Sequence, residues 1–251
     1  MMAVLTWSGL AMPAETVFQM PLEWHEGLLE TRHYNIVMES SGTVIGQFEM
    51  KLYGKTGHGG QPLFRLSLER VVTIGAPGGK PVQAASDTEV IFAAKTLDLI
   101  EKREHYASGE AEGRMKAVRT PDGVKRTIEA AAEEIDFEPE ETDVKYDLHP
   151  LIEQTVLPYV VRAQPEEEGR EFELKAIDPR KAKSIELHGR IGPLQTISWG
   201  GQEVEVRRVD LTTPKGTTSY FIRHGGEREL LRYTGLRGER YELQRPAKPG
   251  S

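Results

Sequence analysis

Along much of this chain apolar and polar residues alternate one by one, and a period of two places successive side chains on opposite faces of a β-sheet. In Val44-Ile45-Gly46-Gln47-Phe48-Glu49-Met50-Lys51-Leu52 the even positions carry Val, Gly, Phe, Met and Leu, while Gln47, Glu49 and Lys51 point the other way. The pattern recurs in Phe64-Arg65-Leu66-Ser67-Leu68-Glu69, Phe172-Glu173-Leu174-Lys175, Ile185-Glu186-Leu187-His188 and Glu203-Val204-Glu205-Val206-Arg207. Such strands have one dry face and one wet face, the mark of antiparallel sheets. After Arg207 the apolar phase moves from Val204 and Val206 to Val209 and Leu211, and a bulge near Arg207-Arg208 is expected to reconcile the two.

Turn chemistry falls between these strands. Ser40-Ser41-Gly42, Gly75 to Gly79, Pro121-Asp122-Gly123, Pro214-Lys215-Gly216 and Gly225-Gly226 supply the φ values that tight turns need, so hairpins are expected to dominate. Two segments break the alternation. Residues 147–157 place Leu148, Leu151 and Ile152 on one side, which predicts a short amphipathic helix capped by Asp147, with Pro150 in its first turn, ended before Pro158. The acidic run from Glu133 to Asp143, interrupted by Pro139, reads as a solvated linker between two groups of strands. The expected fold is mainly β: a curved antiparallel sheet, half-barrel or open barrel, with one or two short helices packed on it. Residues 15–245 are expected to form one β-rich domain, with a disordered tail over 246–251.

Composition narrows the function classes. With 38% hydrophobic and 28% charged residues the chain is ordinary for a globular protein and too polar for membrane spans, so it is not expected to be an integral membrane protein. A net charge of −7 lacks the footprint that nucleic acid requires. The absence of cysteine removes disulfides, thiolate zinc sites and cysteine nucleophiles together. The apolar run Ala3 to Ala11, followed by Pro13, has no Lys or Arg before it; residues 1–14 read equally as a signal peptide with a truncated start or as an ordinary tail.

Motifs with chemistry are weak. The seven histidines form neither an HExxH nor a His-x-His pair, so no metal site is expected. His58-Gly59-Gly60 and His224-Gly225-Gly226 echo the oxyanion loops of hydrolases, but no Gly-x-Ser-x-Gly elbow accompanies them and both read as hairpin turns. Gly75-Ala76-Pro77-Gly78-Gly79-Lys80 lacks the Gly-Lys-Ser/Thr of a phosphate loop, and no cofactor is called for. The carboxylate pairs Asp87 with Glu89 and Glu203 with Glu205 share a strand face each, the raw material of a carboxylate-dependent hydrolase, but solvated faces explain them more simply. Taken residue by residue, Phe48, Met50, Leu52, Phe64, Leu66, Leu68, Val90 and Phe92 read as core. Taken together, they can line a hydrophobic ligand site if a curved sheet leaves its concave face unfilled.

Several of these segments carry a resemblance. Gly46 before Phe48, the strand Pro62-Leu63-Phe64-Arg65-Leu66, then Val118-Arg119-Thr120-Pro121-Asp122-Gly123-Val124 and Asp147-Leu148-His149-Pro150-Leu151 leading to Tyr159-Val160-Val161-Arg162 resemble the bacterial domain of unknown function 3108. The closing strands Leu230-Leu231-Arg232-Tyr233 and Glu239-Arg240-Tyr241-Glu242-Leu243 extend the resemblance over most of residues 30–245. It implies a half-barrel like that of the periplasmic lipoprotein carriers, a place in the cell envelope and no catalytic residues, and it makes the N-terminal run a clipped signal peptide. The expectation is a non-enzymatic periplasmic or envelope protein binding a lipid-like ligand in its concave face. The rivals are a module that recruits an envelope partner through exposed edge strands and, least favoured, a carboxylate-dependent hydrolase.

Overall fold

The structure, a computed structural model, describes residues 22–75, 81–132, 135–136, 140–146, 148, 150–236 and 238–244. The alternating segments become strands: β1 (Gly27–Met38), β2 (Val44–Thr56), β3 (Pro62–Ile74), β4 (Val82–Ala93), β5 (Leu99–Ser108), β6 (Ala111–Thr120), β7 (Gly123–Ala132), β8 (Ile135–Asp136) and β9 (Glu140–Lys145). After these come β10 (Ile152–Glu153), β11 (Glu171–Asp178), β12 (Lys183–Trp199), β13 (Gln202–Thr213), β14 (Gly216–Arg223), β15 (Leu230–Thr234) and β16 (Glu239–Leu243). The one α-helix among the described residues is α1 (Leu157–Arg162).

All sixteen strands join one curved, unclosed sheet in the order β10-β11-β12-β13-β14-β15-β16-β1-β2-β3-β4-β5-β6-β7-β8, with β9 also beside β7. The pairing of β16 with β1 joins a hairpin series built from the second half of the chain to one built from the first. Every pair is antiparallel except β10 with β11. The turn signals at residues 40–42, 121–123, 214–216 and 225–226 all lie in connections between neighbouring strands, as do His58-Gly59-Gly60 and His224-Gly225-Gly226. The turn signal over 75–79 lies outside the described residues apart from Gly75, as do residues 1–14, Asp147 and the tail 246–251.

Register sorts the side chains. Tyr34 stands opposite Phe48, Phe48 opposite Arg70, Met50 opposite Leu68, and Leu52 opposite Leu66, which faces Val90 in turn. Paired residues share a face, so these form the inner, concave side, and the core cluster lies along it. Bent sheets bring backbones close: Tyr106 stands opposite Gly113 and Phe172 opposite Gly189, and a Cβ on either glycine would fall within 2.2 Å of the facing ring.

Three expectations need correction. The predicted helix over 147–157 is displaced: Ile152–Glu153 pairs with β11, Gln154–Val156 forms a 3-10 turn, and the α-helix begins at Leu157 with Pro158 in its first turn. Proline is at home there because the missing N–H would have had no helical partner, while Asp98 and Leu99 of the β4–β5 connection hold Leu151 through both of its backbone groups. The acidic run is not wholly a linker, since Glu140–Lys145 is β9, tied to β7 by Lys125–Glu141 (2.9 Å) and Arg126–Glu140 (3.3 Å); Glu133, Glu134 and residues 137–139 lie outside the described residues. The expected bulge does lie at Arg207-Arg208, but its extra residue is on the neighbouring strand: Ile191 faces Val209 and Leu194 faces Arg207, so Gly192 and Pro193 together oppose Arg208 alone, while β13 runs unbroken against β14 and keeps Val206 and Val209 on opposite faces.

Candidate ligand site on the concave face

The chain fills much of its own concavity. From β9 it passes inward, and Leu151, Ile152, Val156, Leu157, Tyr159, Val160 and Val161 are all buried against the sheet. Each fully buried Val or Leu contributes about 1.5–3 kcal/mol, so residues 151–164 are held as firmly as a strand. Glu153 accepts a hydrogen bond from Thr155 N (2.7 Å) to cap the turn before α1.

Two buried ion pairs fasten this segment to opposite walls. Lys102 of β5 donates to Glu153 at 2.8 Å, with Glu104 also near its ammonium at 3.6 Å. Burial works against the Lys102 charge, but the carboxylates of Glu153 and Glu104 outweigh it and hold the ammonium above the usual lysine range. At the far end Arg162 donates twice to Glu30 of β1 (2.8 and 3.0 Å) and once each to the carbonyls of Glu227 and Arg228. Arg32 adds a second guanidinium on Glu30 at 2.8 Å.

The eight residues singled out for ligand binding all lie on the concave face. Met50, Leu52, Phe64, Leu66, Leu68, Val90 and Phe92 are buried in the core, where the rings of Phe64 and Phe92 pack at 5.6 Å. Phe48 alone is half-buried. The structure thus brings the stripe together, and packing accounts for seven of its members.

Phe48 belongs instead to an aromatic wall that sequence reasoning missed. Tyr233 stacks on Tyr241 with centroids 4.3 Å apart and planes within 3°, and Tyr220 stacks on Tyr233 at 5.7 Å. Phe48 meets Tyr241 edge-on at 5.9 Å and Tyr34 at 5.8 Å, while Tyr34 donates its hydroxyl to Leu230 O. Tyr233 and Phe48 are half-buried, so part of this wall meets solvent inside the curve. The guanidinium of Arg70 lies 5.7 Å over the Tyr241 ring. The missed signal was a charge on a dry face: Arg70 continues the even series Phe64, Leu66, Leu68, and Lys102, Glu30 and Arg32 likewise stand on inner faces.

Two open pockets lie elsewhere, and neither is lined by any of the eight residues. One is a trough of about 580 Å³ across β3 to β7, bordered by Asp87, Glu89, Arg103, His105 and Lys116 among others. Several of its charges are already matched: His105 sits 2.8 Å from Glu112 and 3.8 Å from Asp87, and Arg65 3.5 Å from Glu89. The other, about 350 Å³, surrounds the His224-Gly225-Gly226 connection, where His224 pairs with Glu166 at 2.7 Å. Among the described residues no group of three or more His, Asp or Glu side chains is arranged to hold a metal ion, and no helix is long and apolar enough to cross a membrane.

No family model matches the chain, and no curated protein matches it significantly. A solved structure does: the crystal structure of a β-barrel-like protein of domain of unknown function DUF1849 from Brucella abortus matches with a TM-score of 0.55, at 10% identity, over 85% of this chain and 94% of that one. At that identity the likeness is one of fold. The chain therefore has a β-barrel-like fold, built as one large, unclosed antiparallel sheet with one short α-helix among the described residues.

Proposed function

We propose that this chain is a non-enzymatic protein of the cell envelope that binds a hydrophobic, lipid-like molecule on its concave face. The observation that carries the reading is the aromatic wall of Phe48 and Tyr233, which lies inside the curve of the sheet and is only partly buried where its neighbours on that face are buried outright. Most large apolar side chains on this face are covered by neighbours, and an apolar surface partly open within a concavity is the usual form of a small-molecule site. The resemblance to domain of unknown function 3108 supports the same reading and the envelope location. Dodecanol, titrated into the protein and followed by calorimetry, is expected to bind saturably, and Phe48→Ala to weaken it roughly tenfold through lost apolar contact. Absence of saturable uptake by the folded protein would count against the proposal.

A second reading is favoured by the sheet margin. Along β11 only Ala176 and Ile177 are covered by β10, which leaves residues 171–175 without a strand on that side among the described residues. Such an edge can accept a strand from another chain. A stoichiometric partner that protects the amides of residues 171–175 from hydrogen exchange is the expected result on this reading. A partner that leaves these amides exchanging freely speaks against it.

A further inference from the structure

We infer that Arg70 is the head-group determinant of the concave site, selecting ligands that carry a single carboxylate on an apolar tail. This rests on the ligand-binding reading above and adds its chemistry.

Among the described residues, every other arginine that is buried or half-buried has a carboxylate or a backbone carbonyl within reach. Arg162 has Glu30, Arg207 has the Gly192 carbonyl, Arg126 has Glu140, and the rest are similarly matched. Arg70 has neither; its Nε is buried without a hydrogen-bond partner, as are those of seven of these arginines, and what sets Arg70 apart is that no carboxylate or carbonyl meets the rest of its guanidinium. Its contact is the Tyr241 ring, itself stacked on Tyr233. Stacking on a ring face satisfies part of the charge but none of the N–H donors. A guanidinium carries five N–H donors and no acceptor, so those donors still call for an acceptor.

The neighbours of Arg70 define what can reach it. Phe48 stands directly opposite on β2 and Ser86 directly opposite on β4, and Tyr106 follows Ser86 on β5. Arg180, which lies over the Tyr106 ring, is already paired with Glu104. One unmatched positive charge beside two partly buried aromatic rings calls for a monoanion with an apolar body. A carboxylate takes the guanidinium fork through two parallel N–H donors, and its tail lies along Phe48 and Tyr233. A dianionic phosphate would need a second free cation, and none stands beside Arg70 among the described residues.

The test compares dodecanoate, dodecanol and dodecyl phosphate by calorimetry on the full chain. Dodecanoate is expected to bind about 10- to 100-fold more tightly than dodecanol, the gain of a charge-assisted hydrogen-bonded pair. Arg70→Gln is expected to bring the two to parity. Ser86→Asp, which sets a carboxylate opposite Arg70 within the sheet, is expected to do the same while keeping the guanidinium in place. It therefore decides the matter even where Arg70→Gln unsettles the fold. Parity in the unmodified protein, or a preference for dodecanoate that survives both substitutions, overturns the inference and leaves the ligand-binding reading standing. Tighter binding of dodecyl phosphate overturns the carboxylate assignment. Failure of all three ligands to bind overturns both.

Discussion

Arg162 and Glu30, 132 residues apart in the chain, meet in two hydrogen bonds of 2.8 and 3.0 Å inside the sheet, with the arginine 1% exposed. The pair closes α1 onto β1 and so locks the inner segment to the wall built from the chain's first half. Its two members are not equivalent, because Glu30 also holds Arg32 whereas Arg162 has no second carboxylate. Breaking a buried ion pair costs about 3–5 kcal/mol, since it strands a charge. Glu30→Gln strands Arg162 and is expected near the upper end of that range. Arg162→Met leaves Glu30 paired with Arg32 and is expected near the lower end. Urea denaturation of both variants checks the order, and equal losses would show that the second guanidinium carries no weight.

Gly46 marks a point where the backbone admits no side chain. Ile36 faces Gly46 but Val37 faces Val44, so β2 bulges at this point. A Cβ on Gly46 would stand 2.2 Å from Val71 O and 2.8 Å from the Val72 Cα, both backbone atoms that move only with β3 itself. Gly46→Ala is expected to cost about 1–3 kcal/mol, as overpacking does. Gly75→Ala, with nothing within 4 Å of the new Cβ, is expected to stay within about 0.5 kcal/mol of neutral. Thermal melts that leave Gly46→Ala unchanged would contradict the close approach.

The sheet was legible because alternation is a local property: Val44 to Leu52 declares both strand and inner face within nine residues. The ligand stripe was legible as a face for the same reason. What covers that face was not, because Leu66 reads the same whether it meets a ligand or Val90 and the inner segment. The displaced helix shows the limit most clearly. Pro158 can end a helix or begin one, and the choice was made by partners far along the chain, Asp98 and Leu99 on one side and Ala176 and Ile177 on the other. The aromatic wall draws Tyr34, Phe48, Tyr220, Tyr233 and Tyr241 from five strands, and no window of sequence holds them together.

Pro158 supplies a direct check on that helix start. In the first turn of α1 it costs no hydrogen bond and restricts the unfolded chain, so Pro158→Ala is expected to lose only about 0.4–1 kcal/mol. Val160→Pro, two residues on and fully buried, is expected to cost about 3 kcal/mol or more, from the proline ring within the helix and from the lost packing. Were the helix to end before Pro158, residue 160 would lie beyond it and the penalty for proline there would fall on packing alone. The contrast between the two variants in urea denaturation therefore reports where the helix begins.

High pH tests the buried interior as a whole. Burial pushes the hydroxyls of Tyr34, Tyr159, Tyr220 and Tyr233 above the usual tyrosine range, and the Lys102 ammonium is raised by its carboxylates against the pull of burial. All five hold their protons longer folded than unfolded. The stability they supply is present in full below the unfolded values, about pH 10, and is lost as pH rises from there through the folded values. Each tyrosine removes about 1.4 kcal/mol per pH unit in that window, and the four together about 5.5 kcal/mol per unit. A fold of ordinary stability, about 5–15 kcal/mol, is then expected to reach its alkaline midpoint above about pH 11. Burial is the sole cause of the shift at Tyr220, so Tyr220→Phe removes one titration without breaking an ion pair. It is expected to flatten the pH dependence above pH 10 by about one quarter of the contribution of these four tyrosines, read from stability measured at successive pH values. An unchanged slope would mean that Tyr220 is solvated in the folded chain, and with it the inner end of the Tyr220–Tyr233–Tyr241 stack.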